Sequence, residues 1–111
     1  MAKQYVPPTQ VMSPQRHWVL VKVVYDDEER KAAAAIGYWD KDPVLVMRWN
    51  GTGTNPIGNP QSRGLPTWFV VPEPFREPIL NTILKVSTIL KDSPGEKAFV
   101  AGFFSGRKRG G

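Results

Sequence analysis

The sequence has 111 residues, of which 41% are hydrophobic and none is cysteine. This length and composition predict one folded domain and exclude a disulfide framework or a thiolate metal site. The net charge is +5, but three of the 15 basic residues are Arg107, Lys108 and Arg109, which leaves 12 basic residues against 10 acidic ones elsewhere. An electrostatic case for a nucleic-acid partner therefore depends mainly on these last basic residues.

The first 16 residues contain three prolines and no regular spacing of apolar residues, which predicts an extended N-terminal arm over residues 1–16. They lack the apolar core of a signal peptide. No window of the chain approaches the roughly 18 apolar residues of a membrane span. We therefore expect a soluble cytoplasmic protein that makes no contact with a membrane.

Four segments with β-like composition follow the arm. Residues 17–25, HWVLVKVVY, are apolar on both faces and predict a strand that is covered on both sides. Residues 32–39, AAAAIGYW, can open a helix by propensity, but Gly37 and the aromatic pair after it favour a strand. DPVLVMRW over residues 42–49 and TWFVV over residues 67–71 predict a third and a fourth strand.

The C-terminal third of the chain changes to a helical period. Apolar residues between Phe75 and Leu90 recur at spacings of three and four, which predicts one amphipathic helix that begins near Pro74 or Pro78. KAFVAGFF over residues 97–104 alternates and predicts a last strand. The predicted fold class is thus α+β, a mainly antiparallel sheet of about five strands with one amphipathic helix packed on one face. A single domain would cover residues 17–104.

The same reasoning predicts self-association. If both faces of the strand over residues 17–25 are buried and only one helix is present, another surface must cover the far face of the sheet. A second copy in a two-fold homodimer is the simplest candidate.

Residues that could carry catalysis or hold a cofactor are sparse. His17 is the sole histidine, so neither a zinc site nor a catalytic triad is supported. The acidic run over residues 26–29 lacks the spacing of an EF-hand, and GTGTNPIG over residues 51–58 lacks the Gly-Lys-Ser/Thr ending of a phosphate loop. We predict a non-enzymatic protein with no metal and no cofactor; a carboxylate pair assembled by the fold is the catalytic alternative that the sequence leaves open.

The long polar loop over residues 50–66 is the predicted working surface. Loops of this length in compact domains are commonly functional or disordered. Three turn signals, Asn50-Gly51, Asn55-Pro56 and Asn59-Pro60, favour an ordered loop. It would bind a protein or a small molecule, and the predicted ligand-binding residues are Arg48, Trp49, Asn50, Asn59, Gln61, Arg63 and Trp68. The alternative is that both tryptophans belong to the core and the loop is only a crossover.

The chain closes with a basic segment that predicts a flexible tail over residues 105–111. Arg107, Lys108 and Arg109 could follow a phosphate backbone while loop arginines and tryptophans contact bases. Nucleic-acid binding is therefore the alternative function.

Two segments, RWNG over residues 48–51 and NPQSRGLPTWFVVP over residues 59–72, resemble parts of uncharacterised small bacterial proteins, some of them carried on mobile genetic elements. The resemblance implies a free-standing bacterial accessory protein. It assigns no role to any residue.

Overall fold

The computed structural model describes residues 5–28 and 31–104. Its strands are β1 (Trp18–Asp26), β2 (Ala32–Trp39), β3 (Asp42–Trp49), β4 (Gln61–Ser62), β5 (Leu65–Pro66) and β6 (Phe69–Val70). Its helices are α1 (Glu73–Val86) and α2 (Pro94–Gly102), and a short 3-10 turn, Pro8–Gln10, precedes β1. The predicted α+β class is confirmed. The described residues form a four-stranded antiparallel sheet, a two-stranded sheet and two helices, rather than five strands and one helix.

The main sheet has the strand order β1-β2-β3-β6, with every neighbouring pair antiparallel. A two-residue turn joins β2 to β3. Its central residues, Asp40 and Lys41, have φ values of 50° and 76°, which is the type I′ geometry that matches the twist of a β-hairpin. The predicted strand over the alanine run is confirmed as β2. Its small side chains are buried on both sides, so both neighbouring layers approach the sheet closely.

One face of the sheet, the helix face, packs against α1 and α2. Its buried residues are Val24, Ala34, Ile36, Leu45, Val71, Leu80, Ile83, Leu90 and Val100. A buried hydrogen bond of 2.6 Å from Ser87 Oγ to the Val24 carbonyl fixes the chain after α1 against β1.

The opposite face, the arm face, packs against the N-terminal segment. Its buried residues are Val11, Trp18, Val23, Ala33, Ala35, Val46 and Trp68. Val11 is fully buried, and its carbonyl accepts a hydrogen bond of 2.7 Å from Trp68 Nε1. Residues 5–16 of the predicted extended arm therefore cover the face for which the sequence predicts a second copy.

Helix α1 is the predicted amphipathic helix, and it begins next to Pro74, the first of the two prolines named for its start. It starts at Glu73 after Pro72, with Pro74 in its first turn and Pro78 inside the helix. A proline in the first turn costs little because its N–H would have no partner there. The buried residues Leu80 and Ile83 face the sheet, and the helix ends at Val86.

The predicted last strand over residues 97–104 is wrong, because most of this segment lies in α2. Ser93 begins the helix, its side chain accepting a hydrogen bond from the Glu96 N–H at 3.3 Å, and Pro94 follows at the first helical position. Aromatic residues four apart share a helix face, so Phe99 and Phe103 pack together at a tilt, with their ring centroids 6.1 Å apart. The segment KAFVAGFF fits both the alternation of a strand and the four-residue spacing of a helix.

Neither α1 nor α2 combines the length and the apolar character needed to cross a membrane; this finding concerns only the residues that the structure describes.

Candidate functional site

Arg48 is the centre of the loop's supporting structure. Its position in β3 lies opposite Ala33, so its side chain enters the arm face, where only 3% of the residue is exposed. The guanidinium donates hydrogen bonds to the carbonyls of Ile57 and Thr67, and one of 3.4 Å to the carbonyl of Pro60. One buried side chain therefore ties the middle of the loop to its end.

The described residues that accept hydrogen bonds from Arg48 are polar but carry no opposite charge. The three oxygens that accept from it are neutral carbonyls, its Nε has no hydrogen-bond partner among the described residues, and the Trp68 ring lies 6.0 Å away. Burial lowers the pKa of Arg48 from its ordinary value to about 10. The side chain is thus still a cation at neutral pH, and its donors are used inside the protein rather than offered to a ligand.

Asn50 has a comparable structural role at the other side of the loop. It is buried, and its Nδ2 donates to Asp26 Oδ1 at 2.9 Å and to the Glu28 carbonyl at 2.8 Å. Its backbone N–H donates to the Lys31 carbonyl at 2.9 Å. These bonds fasten the start of the loop to the connection between β1 and β2.

The loop itself is built from turns rather than slack chain. Trp49 and Asn59 form an antiparallel bridge with backbone hydrogen bonds of 2.7 and 3.0 Å. Gly58 has a φ of 65°, and a Cβ there would lie 2.2 Å from the Trp49 carbonyl oxygen, so this close approach requires glycine. Gln61 Nε2 donates to the Gly58 carbonyl at 2.8 Å before the chain enters the β4-β5 hairpin.

The two tryptophans at the base of the loop have opposite roles. Trp68 is buried on the arm face, with its ring centroid 6.2 Å from that of Trp18. Trp49 lies one residue after Arg48 in β3, and alternation along the strand turns it to the helix face, where 60% of the residue is exposed.

The predicted ligand-binding residues therefore separate into two groups. Arg48, Asn50 and Trp68 are buried and hold the loop, whereas Trp49, Asn59, Gln61 and Arg63 are exposed. Arg48 and Arg63 do not meet in one concavity, because Arg48 lies beneath the loop and Arg63 lies at the exposed turn of the β4-β5 hairpin. The predicted nucleic-acid-binding residues Arg107, Lys108 and Arg109 lie outside the described residues.

An apolar groove accompanies Trp49 at the edge of the sheet. It has a volume of about 490 Å³, and we call it the aromatic groove. It is lined by Ala32, Met47, Arg48, Trp49, Asn59, Pro60 and Phe69. Phe69 pairs with Met47 across β3 and β6 and is 58% exposed, so two large aromatic residues stand beside the groove on the same face.

The apolar surface continues from the aromatic groove toward α1. Met47 also lines a second depression of about 410 Å³, which it shares with Tyr25 and with the α1 residues Pro78, Ile79, Thr82, Ile83 and Val86. None of these residues is charged. The two described helices cover only part of the helix face and leave Trp49 and Phe69 at its end exposed.

Phe69 and Met47 were not among the predicted site residues. The signal that identifies Phe69 is the alternation within TWFVV, because Trp68 and Phe69 are adjacent and must face opposite sides of the sheet. Met47 follows from the same rule, since it lies two residues before Trp49 in β3.

Titratable residues form no centre around the groove. His17 Nδ1 lies 2.7 Å from Asp40 Oδ1 at the exposed turn between β2 and β3. Within residues 5–28 and 31–104, no group of three His, Cys, Asp or Glu side chains gathers as a metal site would require.

Comparison of the chain with family models, with curated proteins and with solved structures gave no match.

Proposed function

We propose that this protein is a small non-enzymatic binding module whose aromatic groove takes apolar side chains of a partner protein. The observation that carries the proposal is the pair Trp49 and Phe69, each more than half exposed beside one apolar groove. Large exposed aromatic residues grouped on one surface are typical of interaction sites in folded proteins.

The energetics favour an apolar partner. Removing most of the exposed surface of these two rings from water would contribute roughly 5 kcal/mol before the entropic cost of association. Aromatic anchors of this kind commonly supply the largest share of the binding free energy at protein interfaces.

The rigidity of the surface also favours binding of a partner. Trp49 lies in β3, and the bridge to Asn59 holds its backbone from the loop side. Arg48 fixes the loop from beneath through the carbonyls of Ile57, Pro60 and Thr67. A surface that is ordered before binding loses little conformational entropy when a partner arrives.

The polar groups of the groove favour a protein ligand over a phosphate. Asn59 is its uncharged polar residue, and the Arg48 guanidinium is bonded to carbonyls on the opposite face. A phosphate in the groove would meet no free cation among the described lining residues, whereas an apolar side chain would meet the five apolar or aromatic residues of the lining.

Nucleic-acid binding remains the second candidate, supported by a different reading of the same two rings. Exposed aromatic residues on a sheet can stack on bases, and Arg63 is exposed on the neighbouring hairpin. In that case affinity would fall steeply as salt concentration rises, because phosphate contacts release counterions.

A peptide-display experiment tests the main proposal. Random peptides are selected on the wild-type protein and counter-screened on Trp49→Ala and Phe69→Ala. The matched control is Phe75→Ala, since Phe75 is a phenylalanine with the same 58% exposure on α1. We expect apolar peptides that bind the wild type and the control but not the two groove variants.

Failure to enrich any peptide that depends on Trp49 and Phe69 would overturn the proposal. Salt-sensitive binding of an oligonucleotide that depends on the same residues would favour the second candidate.

A further inference from the structure

Strand β1 is one edge of the main sheet, and among the strands that the structure describes only β2 pairs with it. An edge strand presents backbone N–H and C=O groups that can pair with another chain. The N-terminal segment covers part of β1 on the arm face and the helices cover part of its other face, while Val19 and Val21 remain exposed. The outer edge of β1 carries no neighbouring strand among the described residues.

The open part of this edge is short and well defined. The Trp18 N–H donates to the Pro14 carbonyl at 2.9 Å, so the backbone at the beginning of the strand is already paired. Near the end of the strand, the Val24 carbonyl accepts a hydrogen bond from Ser87 Oγ. Between them, the backbone of residues 19–23 makes no hydrogen bond to described residues beyond the ladder with β2, although the Lys22 side chain pairs with Glu96 of α2 at 3.0 Å. Val19, which is 60% exposed, and Val21 lie in this window.

A groove runs along the open window, and we call it the edge groove. It has a volume of about 520 Å³. Pro7, Pro8 and Thr9 form its wall on the arm face, Ile89 forms the other wall, and residues 20–23 with Asp26 form its floor. Because adjacent strands lie about 4.8 Å apart, an extended segment laid in this groove could hydrogen-bond to β1 while its side chains contact both walls.

The charges at the ends of β1 indicate which segment fits. Arg16 and His17 precede the strand, and Asp26 and Asp27 end it. In a parallel pair of two such strands, like charges would face each other. In an antiparallel pair, Arg16 of each copy would approach Asp26 and Asp27 of the other, and two-fold symmetry would make this contact twice.

Irregularities in β1 restrict the choice of partner further. The register with β2 shifts between Leu20 and Lys22 and again between Val23 and Tyr25, so β1 carries two bulges. Bulges twist an edge strand and disfavour pairing with an arbitrary flat strand. A second copy has the same twist and a matching charge pattern.

We infer that the edge groove is a homodimer interface, in which β1 pairs antiparallel with β1 of a second copy. The interface lies at the opposite edge of the sheet from β6 and the aromatic groove. The inference is therefore independent of the proposed binding function.

Charge reversal provides the test, measured by sedimentation velocity across micromolar concentrations. We expect a concentration-dependent dimer for the wild type, and a dimer dissociation constant raised about tenfold or more by Arg16→Glu or Asp27→Arg alone, because like charges then meet. The double variant Arg16→Glu/Asp27→Arg should restore the dimer. Lys85→Glu, an exposed charge reversal on α1, is the control and should leave the dimer unchanged.

A second variant separates loss of pairing from loss of folding. Val21→Lys places a charge in the open edge and should yield a folded monomer with an unchanged circular dichroism spectrum. A wild-type protein that stays monomeric throughout would overturn the inference. So would a dimer that is insensitive to Arg16, Asp27 and Val21 but is lost in Trp49→Ala, since that dimer would use the aromatic groove.

Discussion

The indole of Trp18 lies directly over Gly37 of the neighbouring strand, so that a Cβ on Gly37 would lie 2.5 Å from the ring and 2.3 Å from the Val19 carbonyl oxygen. Trp18 is buried and contacts the rings of Trp39 and Trp68 on the arm face. The ring and the glycine backbone therefore occupy the space that a side chain would need.

Gly37→Ala should destabilise the protein by about 3 kcal/mol, because neither the backbone oxygen nor the packed indole can move away. Urea denaturation measures the change. Gly95→Ala is the matched control: no atom lies within 4 Å of the added Cβ, and alanine is the better helix former in α2. An equal loss of stability in both variants would contradict this account of Trp18 and Gly37.

Arg48→Ala should reduce the free energy of unfolding by roughly 2–4 kcal/mol, because it leaves the carbonyls of Ile57 and Thr67 without their donor inside the protein. Arg63→Ala removes the same kind of side chain from an exposed turn and should change stability by less than about 0.5 kcal/mol. Thermal and urea denaturation of both variants test this difference. If the two losses were equal, Arg48 would not be the support of the loop.

Trp49→Ala should leave stability nearly unchanged, whereas Trp68→Ala should cost about 3–5 kcal/mol, because Trp68 is buried and Trp49 is largely exposed. Fluorescence gives an independent measurement. Acrylamide should quench a large part of the wild-type emission and much less in Trp49→Phe, while Trp68→Phe should retain the quenchable part. The reverse pattern would mean that Trp49 is not the exposed ring beside the groove.

Ser93→Ala should destabilise α2 by about 1 kcal/mol, since the side chain caps the Glu96 N–H. Ser93→Asp preserves an acceptor at this position and should retain most of the stability. Ser62→Ala, in the exposed hairpin, controls for the loss of a hydroxyl group. No effect of Ser93→Ala would be the result expected of a strand over residues 97–104 rather than a helix.

The central strands could be predicted from sequence because their signal is local. β-branched residues fill β1, and Gly37 with its aromatic neighbours outweighed the helix propensity of the alanine run in β2. The same local reasoning failed at α2, because a short run such as KAFVAGFF fits both a period of two and pairs four residues apart. Ser93, Pro94 and Glu96 form a typical start of a helix, and this feature of the sequence favours the helix over the strand.

The candidate site was predicted as a region rather than as a set of roles. The two exposed aromatic residues of the aromatic groove, Trp49 and Phe69, lie just before and just after the predicted loop. The sequence does not show which of the predicted side chains are exposed, because this depends on the register of the strands and on which residues the folded loop covers. Arg48 is an example. Its position beside Trp49 suggests a contact with a ligand, but side chains alternate along β3, so the Arg48 side chain points to the opposite face and lies under the loop.

The strand order determines where the two aromatic grooves of a dimer would lie. If two copies pair through β1, their sheets join into one continuous sheet and an aromatic groove lies toward each end of it, on the far side from the seam. Self-association and partner binding then do not compete for the same surface. Such a pair would engage two sites on one partner, or two partners, with an effective local concentration that a monomer cannot reach.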